Sequence, residues 1–299
     1  MEDIRIAAVV MESVVGKTSG NLMQIESFVR KAARRGVRLI CFPEASITGY
    51  SVRERISAYA EPIPGPSAEA LVRLSKSTGL TILSGLIERG ESGTLFISHI
   101  VTSPRGLEGV YRKLHLAPNE EKIYKHGNGL PTYGYGKVTF GIELCYDTHF
   151  PELTTLLALR GVEVVFLPYA SPRETSTEKR ERWLGYLSAR AYDNSIFVVA
   201  CNQVGHYDGG GSFPGVALIL GPKGQTMAEM WGDDEGIITA DLRAKDLAEV
   251  RGSKMGFFLS RRRPEIYGEL SISPMARSDS RTASADLTAR PLNYQLKLV

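Results

Sequence analysis

Ala33-Arg34-Arg35-Gly36-Val37-Arg38-Leu39-Ile40-Cys41-Phe42-Pro43-Glu44-Ala45-Ser46 returns 125 residues later as Ala158-Leu159-Arg160-Gly161-Val162-Glu163-Val164-Val165-Phe166-Leu167-Pro168-Tyr169-Ala170-Ser171. Seven of the fourteen positions are identical, too many for chance at one fixed offset. Each copy reads as a helix end, a glycine that stops the helix, an apolar strand and a proline that ends the strand. A second echo lies further on, where the turn Pro104-Arg105-Gly106 reappears as Pro222-Lys223-Gly224, again between two strand-like runs. The chain is therefore read as two copies of one α-β unit. Such copies bury most apolar surface by packing sheet against sheet with their helices outside. The expected fold is an α/β four-layer α-β-β-α sandwich with an internal pseudo-two-fold repeat.

Outward from the first copy, a strand is expected over Ile4–Val10, then a helix from Asn21, with Asn21 as its cap and Gln24 reaching back. Strands follow at 37–42 and 81–85, with a helix over 68–77 between them, and a hairpin joins strands at 95–101 and 107–112. The second half adds strands at 216–220 and 225–230. One large domain over 1–270 and a C-terminal extension over 271–299 are expected. The extension carries an alternating stretch, Leu292-Asn293-Tyr294-Gln295-Leu296-Lys297-Leu298-Val299, that could add a strand.

The 299 residues are 43% apolar, enough for a substantial core. A net charge of +3, with Arg261-Arg262-Arg263 the only basic run of note, gives no footprint for nucleic acid or a membrane surface. No apolar stretch approaches the ~20 residues of a membrane span, and the acidic opening Met1-Glu2-Asp3 is unlike a signal peptide. Three widely spaced cysteines argue against a disulfide framework and for a reducing compartment, so the expected location is cytoplasmic. The five histidines have no ligand spacing, and no metal site is expected. Asp208-Gly209-Gly210-Gly211-Ser212 lacks the lysine of a phosphate-binding loop and reads as a flexible loop.

Three strand ends deliver reactive groups. The run to Phe42-Pro43 ends on Glu44, the run to Arg112 ends on Lys113, and Val138-Thr139-Phe140-Gly141-Ile142-Glu143-Leu144 ends on Cys145. A strand terminus is where rigid scaffold meets solvent, so groups there can be held in fixed geometry. Strand alternation turns Lys113 away from Arg112 and leaves one of them free to enter a site. The second copy carries Tyr169 where the first carries Glu44, so the strand–Pro–x–Ala–Ser skeleton does not itself require a carboxylate. Chemically the set suits covalent hydrolysis. A thiol attacks, Glu44 takes its proton, and Lys113 with the Tyr146 N–H binds the oxyanion. A second acid, Glu120 or Glu121, would orient Lys113. Cys41 and Cys201, inside apolar runs, read as core filler.

Phe42-Pro43-Glu44 followed by Thr48-Gly49-Tyr50, Tyr111-Arg112-Lys113-Leu114-His115-Leu116, and Gly141-Ile142-Glu143-Leu144-Cys145-Tyr146-Asp147 with Phe150-Pro151-Glu152 resemble the three motifs of the carbon–nitrogen hydrolase, or nitrilase, superfamily. Arg262-Arg263-Pro264-Glu265-Ile266-Tyr267-Gly268 is similar to a stretch near the end of N-carbamoylputrescine amidohydrolases and their relatives. The resemblance implies a Glu44–Lys113–Cys145 triad, a thioester or thioimidate intermediate, no cofactor, and homodimers or larger oligomers. Its additional glutamate matches Glu121 best, with Glu120 the alternative. Cys145-Tyr146-Asp147 departs from the Cys-Trp-Glu of true nitrilases, which favours a small linear amide or N-carbamoyl amine over a nitrile. Tyr50, Tyr146, Tyr169 and Arg173 are the candidate substrate-binding residues, and the C-terminal extension is a candidate dimer arm.

Overall fold

The computed structural model describes residues 1–271. Two six-stranded sheets dominate it. The first contains β1 (Ile4–Val10), β2 (Leu39–Cys41), β3 (Thr81–Arg89), β4 (Leu95–Ser103) and β5 (Gly106–Arg112) in sequence order. The second contains β6 (Tyr133–Tyr135), β7 (Val138–Ile142), β8 (Val164–Pro168) and β9 (Phe197–Cys201). After a two-stranded ribbon, β10 (Gly205–His206) with β11 (Ser212–Phe213), the chain adds β12 (Gly215–Leu220) and β13 (Thr226–Gly232) to the second sheet. It then returns to the first as β14 (Gly236–Leu242), antiparallel to β1.

The two sheets match strand for strand. β1, β2 and β3 are parallel, as are β7, β8 and β9. An antiparallel pair extends each sheet on one side, β4 and β5 in the first, β12 and β13 in the second. One antiparallel strand closes the other side, β14 against β1 and β6 against β7. The repeat read from the sequence thus superposes β2 on β8, and both Pro-x-Gly turns join antiparallel neighbours.

Alternation along the strands sorts side chains into three apolar layers. Ile6, Leu39, Cys41 and Leu83 meet Phe140, Phe166, Val199 and Ala217 between the sheets. On the outer face of the first sheet, Val9, Ile40 and Ile82 pack with Ile25, Val29 and Leu71 from α1 (Thr18–Arg34) and α2 (Pro66–Thr78). On the outer face of the second, Val165, Val198 and Leu218 pack with Leu157 from α3 (Pro151–Leu159) and with Trp183 and Leu187 from α4 (Ser176–Asn194). Strands covered on both faces need unbroken apolar runs, which is why β8 and β9 are buried at every position. A further helix, α5 (Ala244–Gly252), follows β14. This is the four-layer α-β-β-α sandwich.

Several boundaries differ from the sequence reading. The first helix opens at Thr18, and Asn21 lies inside it as a buried clamp rather than a cap. Its side chain accepts from Val14 N (3.1 Å) and donates to the carbonyls of Val14 (3.0 Å) and Ile47 (2.9 Å). The compact unit carrying both sheets is Met1–Ser260, and the described residues from Arg261 belong to a second unit. Within that second unit the Arg262 guanidinium lies over the Tyr267 ring and Arg263 pairs with Glu265. The strand and dimer arm expected in the C-terminal extension lie outside the described residues.

Candidate active site

Glu44 follows β2 and Pro43 on a turn whose next residue, Ala45, has φ 54°. The turn presses on β3 so closely that a Cβ on Gly85 would stand 2.3 Å from Ala45 N, and only glycine leaves room. The Glu44 side chain is fully buried. One carboxylate oxygen accepts from Lys113 Nζ at 2.8 Å and the other from Ala170 N at 2.9 Å. Gln203 Nε2 donates to the Glu44 carbonyl at 2.7 Å. Ala170 lies just beyond β8, the repeat mate of β2, so the second copy of the motif supplies an N–H to the carboxylate of the first.

Lys113 leaves β5 pointing inward while Arg112 points outward to a bidentate pair with Glu88 (2.8 and 2.5 Å), as alternation requires. The Lys113 ammonium is buried and divided between two carboxylates, Glu44 at 2.8 Å and Glu120 at 2.8 Å. The carboxylate beside Lys113 is Glu120, the alternative in the sequence reading, while the side chain of Glu121, the better motif match, is exposed. The reason is local. Tyr124 N bonds to the Glu120 carbonyl (2.9 Å), a helical turn that sets Leu116, Glu120 and Tyr124 on one buried stripe and turns Glu121 outward. Glu120 also accepts from Tyr50 OH (2.7 Å) and from Ala117 N (2.7 Å). Tyr50 packs against Tyr207 and Phe213, which flank the glycine-rich loop, and Asp208 of that loop accepts from Ser51 (2.6 Å) and pairs with Arg55.

Cys145 opens a short 3-10 turn, Cys145–His149, after β7, and its own φ is 45°. A non-glycine residue in left-handed backbone is strained, and the surroundings must hold it. Asp147 does much of this. One of its buried oxygens accepts from Leu144 N (2.9 Å) and Tyr111 OH (2.7 Å), the other from His115 N (2.7 Å). Because Tyr111 and His115 flank Lys113, one carboxylate ties the lysine segment to the cysteine turn. Thr148 Oγ1 donates to the Cys145 carbonyl (2.7 Å) and accepts from Tyr169 OH (2.9 Å), whose ring stacks on Trp183. The Tyr146 ring leans on His149 and Phe150. Arg173 is exposed, on a loop where Arg173 and Glu174 both have positive φ.

Burial pushes the Glu44 carboxyl up to about 7; Lys113 opposes this and the Glu120 charge adds to it. Burial alone would strip the proton from Lys113, but Glu120 and Glu44 hold it well above the ordinary lysine value. The Cys145 thiol is pushed up, by burial first and by the Glu44 charge second, while Lys113 and Lys179 pull it down. Burial thus favours the neutral forms of the Cys145 thiol and the Glu44 carboxyl, while Lys113 keeps its charge. A buried lysine with two carboxylates also fixes structure, since removing one partner of such a set costs about 3–5 kcal/mol.

A family model described as carbon-nitrogen hydrolase matches residues 5–252. The chain belongs to that family. It is 28% identical over 274 residues to a nitrilase of Pyrococcus abyssi, covering 88% of this chain and 99% of the relative. It is also 28% identical over 261 residues to a human omega-amidase, covering 84% and 92%. Among solved structures, a mutant of the amidase from Nesterenkonia sp. AN1, in complex with butyramide, superposes with a TM-score of 0.75 at 24% identity, covering 88% and 95%. The protein is accordingly a carbon–nitrogen hydrolase.

Glu44, Lys113, Tyr50 and Tyr169 all lie in the buried surroundings of Cys145. Tyr146 stands partly exposed beside the cysteine. Sequence reading gave no role to Asp147, Gln203 or Lys179. Lys179 had a visible signal, a lone lysine on the Trp183, Leu187, Ala191 stripe of a helix, where a charge is out of place unless something holds it. Among the described residues no group of three or more His, Cys, Asp and Glu side chains is arranged to hold a metal ion, and no helix is long and apolar enough to cross a membrane.

Proposed function

We propose that this carbon–nitrogen hydrolase cleaves a small linear amide or an N-carbamoyl amine through a thioester on Cys145. The observation that carries the reading is the buried Lys113 ammonium divided between Glu44 and Glu120 beside the strained cysteine turn. As Sγ attacks the carbonyl carbon, its proton passes to Glu44, and the developing oxyanion is met by Lys113 Nζ and the Tyr146 N–H. Collapse breaks the C–N bond, and Glu44 returns the proton to the leaving nitrogen, which departs as ammonia or an amine. Glu44 then takes a proton from water, whose oxygen attacks the thioester, and passes it to the departing Cys145 sulfur as the acid is released, which restores the starting state. With an N-carbamoyl amine the intermediate is a thiocarbamate: the amine leaves first, and water then releases carbamic acid, which breaks down to carbon dioxide and ammonia. Glu120 keeps Lys113 charged and aimed while Glu44 cycles between its two states.

Tyr50, Tyr146, Tyr169 and Arg173 are proposed to shape the substrate site, with Arg173 at its rim. A cytoplasmic homodimer is our reading of the assembly, favoured by the exposed Leu156 and Leu159 of α3 and Tyr192 of α4. The test is ammonia release from a panel of small amides, N-carbamoyl amines, N-carbamoyl amino acids and nitriles, with Cys145→Ala alongside. We expect release from one amide or carbamoyl class and none from the variant, with the circular dichroism spectrum unchanged. Turnover that persists in Cys145→Ala, or acid formed from nitriles alone, refutes the proposal.

A further inference from the structure

We propose that Lys179 is a positioning residue for the reaction, holding the loop 171–174 so that Ala170 keeps its N–H on the Glu44 carboxylate. The inference rests on the reading of Glu44 as the proton acceptor. Lys179 lies on the buried stripe of α4, and its side chain has no exposure to solvent. Its Nζ donates to Ser171 O (2.8 Å), to Ser171 Oγ (2.7 Å) and, more weakly, to Pro172 O (3.4 Å). It also stands 3.4 Å from Glu174 Oε2, which Arg182 holds at 2.6 Å. An ammonium has three protons and no acceptor, and here it spends them all on one loop.

That loop needs holding. Arg173 and Glu174 are consecutive non-glycine residues at φ 70° and 65°, a conformation that persists only where neighbours over-determine it. Asn202 also holds Ser171, accepting from its N–H at 2.9 Å and donating at 3.0 Å to the same carbonyl that Lys179 reaches. Ser171 is thus fixed between Lys179 and Asn202, and the residue before it is Ala170, whose N–H reaches Glu44 at 2.9 Å. The lever from ammonium to carboxylate is one residue long.

The charged surroundings set the sign. Lys179 faces Glu174, Arg182 and Cys145, and Glu44 faces Lys113, Glu120 and Cys145, with Tyr50 and Tyr124 in electrostatic reach. Releasing the loop removes an N–H that favours the ionised Glu44, so its carboxyl moves up. Removing the ammonium also takes away a charge that favours the Cys145 thiolate, so the thiol moves up too. Both changes move reactivity toward higher pH.

The experiment is the rate at which iodoacetamide alkylates Cys145, located by peptide mass, from pH 5 to 10 in the wild type, Lys179→Met and Lys179→Arg. The melting temperature, and kcat and KM on the best amide, are measured alongside. Alkylation does not depend on turnover, so a wrong substrate assignment leaves this readout intact. In Lys179→Met we expect the midpoint of the alkylation profile to move up by roughly half a unit to one unit, with kcat falling more than KM rises. Lys179→Arg, which keeps the charge and the donors, returns the midpoint toward the wild type. An unchanged midpoint in a Lys179→Met protein that is merely less stable overturns the proposal. Ser171→Ala, which keeps the ammonium and removes one of its acceptors, is run alongside: an upward midpoint there supports the positioning role, and a midpoint that rises in Lys179→Met but not in Ser171→Ala overturns it, because the lost charge alone then accounts for the shift.

Discussion

Replacing Glu143 by Gln should make the protein more stable, and increasingly so as the pH rises. Glu143 sits between Ile142 and Leu144, both of which point into the inter-sheet core, so its own side chain turns toward the outer layer of α3 and α4. It is fully buried, and neither of its oxygens has a well-formed hydrogen bond, Thr154 offering only a weak one. Thr154 Oγ1 and Arg190 Nε are buried nearby without partners of their own. Burial, with the Asp147 charge adding to it, carries the carboxyl from 4.5 to about 8 against the pull of Thr154 and Arg190. Between those two values the native protein keeps a proton that the unfolded chain has lost. Stability therefore falls as pH rises, by about 1.4 kcal/mol per unit for this one group. The stabilisation by the protonated form is complete below pH 4.5, is down by about 3 kcal/mol at pH 7, and is lost, by about 5 kcal/mol, once the pH passes 8. Gln has the same shape and does not titrate, so the difference between the two proteins isolates Glu143. Glu44, common to both, cancels. Thermal unfolding of both proteins from pH 5 to pH 9 should show a gap of roughly 5 °C in favour of Glu143→Gln at pH 7, narrowing to about 1 °C at pH 5. A melting-temperature difference that is the same at pH 5 and pH 8 would falsify the reasoning, because Glu143 would then titrate alike in the folded and unfolded chain.

Two further outcomes bear on the site. Glu120→Gln should lower kcat on the best amide by about 10²–10³-fold while Glu121→Gln stays within about twofold, since only Glu120 touches Lys113; equal losses, or none in Glu120→Gln, contradict the placement. With the Glu44 carboxyl at about 7, kcat/KM should rise through that pH as Glu44 loses its proton and becomes able to accept one from Cys145. A profile flat from pH 5.5 to pH 8.5 removes Glu44 from that role.

The layer order and the repeat were legible because both follow from patterns of short period. Apolar runs such as 164–167 announce a strand covered on both faces, and the Ala158–Ser171 copy fixed which strands correspond. The three reactive groups were legible because each ends such a run. Glu121 ranked ahead of Glu120 because the acidic pair was matched to a motif instead of to a period. Leu116 and Tyr124, four residues to either side of Glu120, already marked the buried position. Asn21 was read as a cap because local sequence cannot show Ile47, the distant carbonyl to which it donates. The N–H from Ala170 to Glu44 was beyond reach for the same reason, since it joins residues 126 apart whose meeting depends on how two sheets dock.

That same hydrogen bond sets an order of events for the newborn chain. The first half can complete β1 to β5, and with them the pocket wall that carries Glu44 and Lys113, while Ala170, Gln203 and the cysteine turn are still being made or are undocked. Secondary structure can then be nearly complete while the carboxylate still waits for its amide. Contacts this distant in sequence form late and slowly. The expected outcome is that, in refolding followed by far-ultraviolet circular dichroism and by amide turnover, sheet signal returns before activity.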